Sequence, residues 1–306
     1  MGNIELESHA NSAPVLPKIT PTSFREQLLR PWPKLSVRLV VIVAAIGALY
    51  LWGLEGTQVN PKELISGIPN IVNFIVRLFP PEFSIINQKI ALPSILNSWI
   101  GQDLIVPVPE IVSAIFQTVQ MAIIGTTLAI FLSLPFGLLA ARNTSPHRAI
   151  YQTLRMIMNI IRAVPEIIFA LIFVAAVGLG PFGGVLAIAV GAVGFLGKLY
   201  AESIEAIDPQ QVLAIRATGA SRLQAFRYGV LPQALPLIAS YSILSFESNV
   251  RSATILGLVG AGGVGFVITK YIALFQYRRL MGALILIILT VTIVDRVSDR
   301  LRKKFT

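Results

Sequence analysis

Cysteine is absent from this 306-residue chain, and the only histidines are His9 and His147, both in polar stretches. Disulfides and thiol chemistry are therefore excluded, a multi-histidine metal site lacks ligands, and both histidines read as exposed loop residues. Charge is scarce too: Asp, Glu, Lys and Arg make up 13% of the chain, against about 25% in an ordinary soluble domain. Apolar residues fill the space. A 55% hydrophobic content and a mean hydropathy of +0.74 mark an integral membrane protein. The remaining charge is lopsided, 25 Lys and Arg against 15 Asp and Glu. Scattered between apolar runs, these bases fit the loops of a positive-inside topology in a lipid bilayer, and no nucleic-acid partner is expected. No cleavable leader is evident before the first apolar run, and Leu6 stands where a myristoylation signal needs Ser or Thr.

The organisation follows from run length. Residues 1–35 are polar, with Lys18, Arg25, Arg30 and Lys34, and read as a cytosolic tail; residues 36–54 form a first span, retained as an anchor. Residues 55–110 are proline-rich and hold only a short apolar stretch, Ile71 to Phe79, interrupted by Arg77, so an external loop with an interfacial helix is expected. Residues 111–306 hold five more candidate spans, 111–140, 156–179, 182–203, 234–256 and 280–297, each near the ~20 residues a crossing needs. The expected fold is thus all-α, with about six transmembrane helices and both termini on one side. Arg142, Arg148, Arg155, Arg216, Arg222, Arg227 and the basic C-terminus gather on that side and make it cytosolic. Lys270, Arg278 and Arg279 fall on the other side, against the rule.

Residues 205–232 interrupt the apolar pattern with a polar, basic elbow. Asp208 before Pro209, with Gln211 three residues on, reads as a capping box; the helix stops at Gly219. Ser221 and Gln224 repeat the cap, with Leu223, Phe226 and Val230 on one face, until Leu231-Pro232 ends the second helix. A helix-Gly-helix elbow on the cytosolic side is a handle for a partner. Two glycine patterns are decoys. Gly178-Leu-Gly180-Pro-Phe-Gly183 has dinucleotide spacing but no preceding strand, and near Gly197-Lys198-Leu199 the phosphate-loop positions hold Ala192 and Leu199, so the chain has no nucleotide site of its own.

Ionisable residues inside spans cost about 2.5–3.5 kcal/mol each on insertion scales, which makes them functional suspects. Arg162 and Glu166 flank Pro165, and Glu247 precedes Arg251 by four residues. Two readings fit: internal neutralisation within a helix, or an aqueous path in which arginine meets an anion, with Pro165 kinking the wall. Lys198, Glu202 and Glu205 read as snorkelling side chains at a span end. Gly257, Gly260, Gly262, Gly263 and Gly265 make residues 257–275 a poor straight helix, either a bent outer gate, possible only where protein or water covers it, or a helix-packing surface.

The elbow resembles the cytoplasmic loop of binding-protein-dependent ABC importer permeases, which has Glu-Ala-Ala, three residues, Gly, nine residues and Ile-x-Leu-Pro. Gly219 and Leu231-Pro232 stand at that spacing, whereas the Glu-Ala-Ala positions fall on Leu213, Ala214 and Ile215 and the Ile position on Gly229. The strings Ser203-Ile-Glu-Ala-Ile-Asp-Pro209, Arg216-Ala-Thr-Gly-Ala-Ser221, Gly229-Val-Leu-Pro-Gln233 and Ser252 to Gly265 are similar to the phosphonate branch, and the resemblance covers about residues 111–297. It implies a five-helix permease core behind an extra N-terminal span, in the bacterial cytoplasmic membrane. It further implies a second copy of the chain, two cytosolic ABC ATPase subunits carrying ATP and Mg, and an external substrate-binding protein; the chain itself would hold no catalytic, cofactor or metal site. Asp208, Pro209, Ala214, Arg216, Gly219, Ser221, Arg222, Phe226, Leu231 and Pro232 would then couple to the ATPase, Arg162, Pro165, Glu166, Glu247 and Arg251 would border the path, and Gly257, Gly260, Gly262 and Gly263 would gate it. The implied cargo is phosphonate, phosphite or a phosphate ester. A permease for methionine or another amino acid shares the architecture, and an ion-coupled secondary transporter would show inverted repeats, of which there is no sign.

Overall fold

The computed structural model describes residues 37–57, 60–83, 85–89 and 105–305. The tail over residues 1–35, with His9, lies outside them. The chain divides into two units, residues 1–69 and 70–306.

In the first unit, α1 (Val37–Gly56) has no buried residue. A 20-residue helix that is apolar all round has the length and surface of a span solvated by lipid. Next, α2 (Pro61–Leu78) starts where Asn60 accepts the Lys62 amide at 3.1 Å and its own amide group reaches Glu63 at 2.9 Å, with Pro61 at the first helical position. This amphipathic helix begins ten residues before the apolar stretch that announces it.

The second unit begins at Asn70, within α2, takes in the rest of that helix, and continues in a short antiparallel ribbon, β1 (Ile85–Lys89) and β2 (Ile105–Pro109), pairing Ile85 with Pro109 and Lys89 with Ile105. This ribbon is an addition to the expected all-helical fold. It leads into α3 (Glu110–Leu139), and the best-buried helix is α6 (Pro181–Glu205). Small residues let the two close in: a Cβ on Gly125 would meet the Ile188 side chain at 2.7 Å, and one on Gly137 would meet Tyr200 at 2.6 Å.

The span expected over 156–179, kinked at Pro165, is instead two helices, α4 (Arg148–Ala163) and α5 (Glu166–Val177), bent by 87°. Pro165 has no amide to continue the ladder and holds Val164 in extended backbone, so the kink becomes a break. Twelve residues reach only about 18 Å, too short for a crossing of ~30 Å. Together, however, the pair follows the length of α6. Met158, Ile161 and Arg162 lie at Gly194, and Arg155 reaches Glu205, whereas Glu166 lies at Gly191 and Val174 at Gly183. Among the described residues five helices are long and apolar enough to cross a membrane, and there are six if the bent pair is counted as one broken span.

After the elbow, α9 (Leu231–Leu256) runs into a 3-10 turn (Gly257–Val259), and the chain then makes α10 (Gly263–Ala273) and α11 (Tyr277–Arg302). Eleven residues are too few to span, so α10 extends the line of α9 beyond the glycine turn. Its first amides are satisfied from α3: Gly263 donates to Gln117 Oε1 at 2.7 Å and Val264 to Thr118 Oγ1 at 2.9 Å. At the end of α3 away from the elbow, Leu78, Ile111, Val264, Tyr271 and Leu280 form a separate core cluster.

Candidate functional site

The elbow is built from α7 (Pro209–Ala217), Gly219 and α8 (Arg222–Ala225). Asp208 Oδ1 accepts the Gln210 amide at 2.9 Å, but the box expected with Gln211 does not close. The acceptor for the Asp208 amide is Gln233 Oε1 at 2.9 Å, and Gln233 Nε2 also donates to the Gly229 carbonyl at 2.6 Å. The base of α9 thus holds the start of the elbow. Gly219 sits at φ +84°, with its amide on the Arg216 carbonyl at 3.0 Å and open space around it. Left-handed backbone, not lack of room, is what favours glycine there. The second box forms as expected: Gln224 donates its amide to Ser221 Oγ at 3.3 Å, and the Ser221 amide donates to Gln224 Oε1 at 2.8 Å.

Leu231-Pro232 does not end the second helix. The chain is helical without interruption over Arg222–Val259, passing through a wide π turn at Phe226–Val230 in which the Leu231 amide bonds the Phe226 carbonyl. The extra residue of that turn falls where Pro232 has no amide to give, and Gln233 covers the Gly229 carbonyl. It also shifts the phase of the helix, so the expected face splits. Leu223 is 74% exposed while Phe226 packs on the core and Val230 is buried. Gly229 permits close packing of α7, with Val212 Cα 3.3 Å and Ile215 Cδ1 3.2 Å from where its Cβ would be. Outward, the elbow presents Leu213, Ala214, Arg216, Arg222 and Leu223. Leu231 and Pro232 are exposed beyond the turn.

Beneath the elbow, Glu205 does more than snorkel. Its carboxylate bonds Arg155 Nη2 at 2.7 Å and accepts the Arg142 amide at 2.6 Å, while Arg155 Nε donates to the Ala140 carbonyl at 3.2 Å. The ends of α3 and α6 are thereby clamped to the middle of α4. His147 contributes locally: its Nδ1 accepts the Ala149 amide at 3.1 Å and caps α4.

The four membrane-depth charges fall on two flanks of one helix. Arg162 and Glu166 line a cleft of about 220 Å³ with Phe195 and with Ser245, Ser248 and Asn249 of α9. No ion pair joins Arg162 to Glu166; the guanidinium stands 6.0 Å over the Phe195 ring instead. On the other flank, Arg251 pairs with Glu247 and, at 3.3 Å, with Asp295 of α11. Ser248 and Arg251, both exposed, lie between the flanks. Asp295, Ser245, Ser248 and Asn249 escaped the sequence reading, although Ser245, Ser248, Asn249 and Ser252 repeat at helical spacing along an apolar segment; Ser245 and Asn249 are buried, and Asn249 Nδ2 donates to Thr126 Oγ1 of α3 at 2.8 Å. Pro165 stands at the break in the wall opposite.

The glycine segment is bent and closely packed. Gly260, Gly262 and Gly263 have positive φ, and the turn they build abuts the α5–α6 corner, where the Gly180 amide bonds the Gly260 carbonyl at 3.0 Å. Gly257 and Gly265 are contact points, for a Cβ on Gly257 would lie 2.6 Å from the Phe266 nitrogen and 2.7 Å from Gly265 Cα.

Residues 133–306 match the family described as binding-protein-dependent transport system inner membrane component. The phosphite transport system permease protein PtxC of Stutzerimonas stutzeri is 36% identical over 291 residues, 93% of this chain and 96% of that protein. The phosphate-import permease protein PhnE of Mycolicibacterium smegmatis is 37% identical over 247 residues, 81% of this chain and 42% of that protein. Among solved structures, an inward-facing conformation of the MetNI methionine ABC transporter aligns with a TM-score of 0.57 at 25% identity, covering 63% of this chain and 94% of that one.

Proposed function

This chain belongs to the family of binding-protein-dependent transport system inner membrane components, and we propose that it is the permease for a phosphonate-class oxyanion, with phosphite and phosphate esters in the same class. In this reading two copies line one path in a bacterial inner membrane, with both termini in the cytosol. Two cytosolic ATPase subunits hold ATP and Mg, and an external receptor delivers the anion. The tail over 1–35, the span over 36–54 and the external loop over 55–110 precede the core.

The elbow is the observation that carries the reading. It is capped at both helices, tied by Gln233 to α9 and by its chain neighbour Glu205 to α3 and α4, and it presents Leu213 and Leu223 beside Arg216 and Arg222. An apolar pair ringed by guanidinium groups suits docking in a groove on an ATPase. When ATP draws the two ATPase subunits together, the elbows move with them. Because α8, the π turn and α9 are one continuous helix, that displacement passes straight to the face carrying Ser248 and Arg251. Hydrolysis releases the subunits and returns the face to its inward state. Arg162 meets the anion, since among the described residues no ion pair holds it, whereas Arg251 is held by two carboxylates. The glycine turn against the α5–α6 corner serves as the outer gate.

The oxyanion is favoured over an amino acid because the phosphite and phosphate permeases are the more similar in sequence, 36% and 37% identical against 25% for the methionine transporter. The test is reconstitution in vesicles with the cognate ATPase and receptor. ATP-dependent uptake of phosphite or methylphosphonate, and none by the chain alone, is expected. Uptake driven by an ion gradient without the ATPase, or ATP-driven uptake of methionine only, would refute the reading.

A further inference from the structure

At the end of the bundle away from the elbow, three bases oppose the charge rule. Two are accounted for. Lys270 Nζ bonds Glu110 Oε1 at 2.7 Å, and Arg279 bonds Gln276 Oε1 at 3.2 Å and lies 3.5 Å from Glu82 Oε1. Arg278 has no carboxylate partner among the described residues, and neither has Arg77 at the end of α2. These two guanidinium groups line a single cleft of about 610 Å³, whose other walls include Phe79, Phe275 and Tyr277.

The cleft is a constructed feature. Its α2 side is fixed to α11 by the Glu82 amide on the Arg278 carbonyl at 3.1 Å, and Gly282 makes room for the Glu82 carbonyl, 2.8 Å from where a Cβ would stand. Phe275, at φ +55°, is the one non-glycine residue with positive φ among those described, and its ring is 74% exposed. That left-handed residue closes α10, its amide bonding the Ile272 carbonyl at 3.1 Å and the Gln276 amide the Tyr271 carbonyl at 2.8 Å, and the cap sets the ring at the mouth of the cleft. Its ring meets Tyr277 edge-on at 6.2 Å, and Tyr277 meets Phe74 at 5.3 Å, so an aromatic wall stands beside the two bases.

We propose that this cleft binds a phosphate-class oxyanion group bearing an apolar substituent, with Arg77 and Arg278 on the oxygens and the aromatic wall on the substituent. Planar guanidinium forks match tetrahedral oxyanions bidentately, and the rings offer apolar surface to the substituent. The inference rests on the oxyanion reading for its choice of soluble ligand and makes the cleft a station distinct from Arg162. The same chemistry is offered by a phospholipid headgroup and by a soluble organophosphonate.

The experiment is a phosphorus NMR titration of the full-length chain in an uncharged detergent with methylphosphonate. Arg77→Gln and Arg278→Gln should each weaken binding by roughly tenfold, the effect of losing one charge-assisted contact. Arg278→Lys should be intermediate, and the Arg77 and Arg278 effects should persist in an Arg162→Gln background, where the path's own anion contact is removed and the titration reads the cleft alone. Repeating the titration in phosphatidylcholine nanodiscs with added phosphatidylglycerol separates the sources. Displacement of methylphosphonate by phosphatidylglycerol, or retention of that lipid alone in an Arg77- and Arg278-dependent manner, assigns lipid as an occupant and upholds the site. Equal affinity in wild type, Arg77→Gln and Arg278→Gln for both ligands overturns it. Vesicles that import methionine only, while the cleft still takes methylphosphonate, would remove the functional reading and leave the cleft standing.

Discussion

An arginine at membrane depth is explained by what it touches, because leaving it there without purpose costs about 2.5–3.5 kcal/mol. Arg251 touches two carboxylates, and Glu247 is mostly buried, with 13% of its side chain exposed. Removing the guanidinium leaves that carboxylate without its partner. Arg251→Gln should therefore destabilise the protein by about 1.5–3 kcal/mol, the value of a hydrogen bond to a charged group, seen as a lower melting temperature in detergent. Restoring most of that loss by adding Glu247→Gln would show that the charge pair, and not lost packing, is at issue. Arg162 stands over a ring and has no ion pair among the described residues, so Arg162→Gln should melt with the wild type yet lower vesicle uptake at least about tenfold. Full uptake by that variant would sink its role on the path. Gly219 poses a backbone question instead. Asn tolerates left-handed backbone, whereas Val there costs about 1–2 kcal/mol and distorts the turn between α7 and α8. Gly219→Asn should transport normally and Gly219→Val should hydrolyse ATP with little uptake; equal coupling in the two would show that the turn geometry is immaterial.

Among elements, the clamp beneath the elbow is the contact most exposed to test. Glu205 reaches Arg155 and the Arg142 amide at once, so it ties α6, α4 and the end of α3 into one body. Glu205→Gln keeps an acceptor for the Arg142 amide but loses the ion pair; uptake per ATP hydrolysed should fall several-fold while ATPase activity persists. An unchanged ratio would mean that motion passes through α9 alone. Much of this architecture is legible in the sequence for local reasons. Apolar run length sets α1, α3, α6 and α11 to within a few residues, except that α11 extends to Tyr277 and Arg302, and Asp208, Gly219 and the Ser221–Gln224 box mark the elbow because caps act within four residues. What escapes depends on distant partners or on phase. Apolar residues continue across Val164-Pro165, so pattern alone joins two helices that proline sets at 87°. The π turn preserves every residue type expected of an α-helix while rotating Leu223 away from Val230. Gln233, Asp295 and the Glu205–Arg155 pair are contacts between segments 25 to 50 positions apart, and no spacing rule announces them.

For the molecule as a whole, the absence of cysteine turns topology into a direct measurement, since any introduced thiol is unique. The cleft and the elbow occupy opposite ends of α3: Glu110 at its start bonds Lys270 of α10, while Ala140 just past its end accepts from Arg155 in the clamp. If the elbow meets a cytosolic ATPase, then Leu223→Cys must react with an impermeant maleimide only from inside the cell. Arg278→Cys must react only from outside. Between them, Ser248→Cys lies on the face of α9 that stays open in a single copy, bordered by Arg162 on one side and Asp295 on the other. A second copy across that face would close it, and ATP would alter the closure. Ser248→Cys should therefore cross-link to its counterpart or lose maleimide reactivity in one nucleotide state of the assembled transporter and not in the other. Labelling that is constant across nucleotide states would leave this face in lipid and move the path elsewhere. Labelling of Leu223→Cys from outside would invert the topology and remove the elbow from reach of any ATPase.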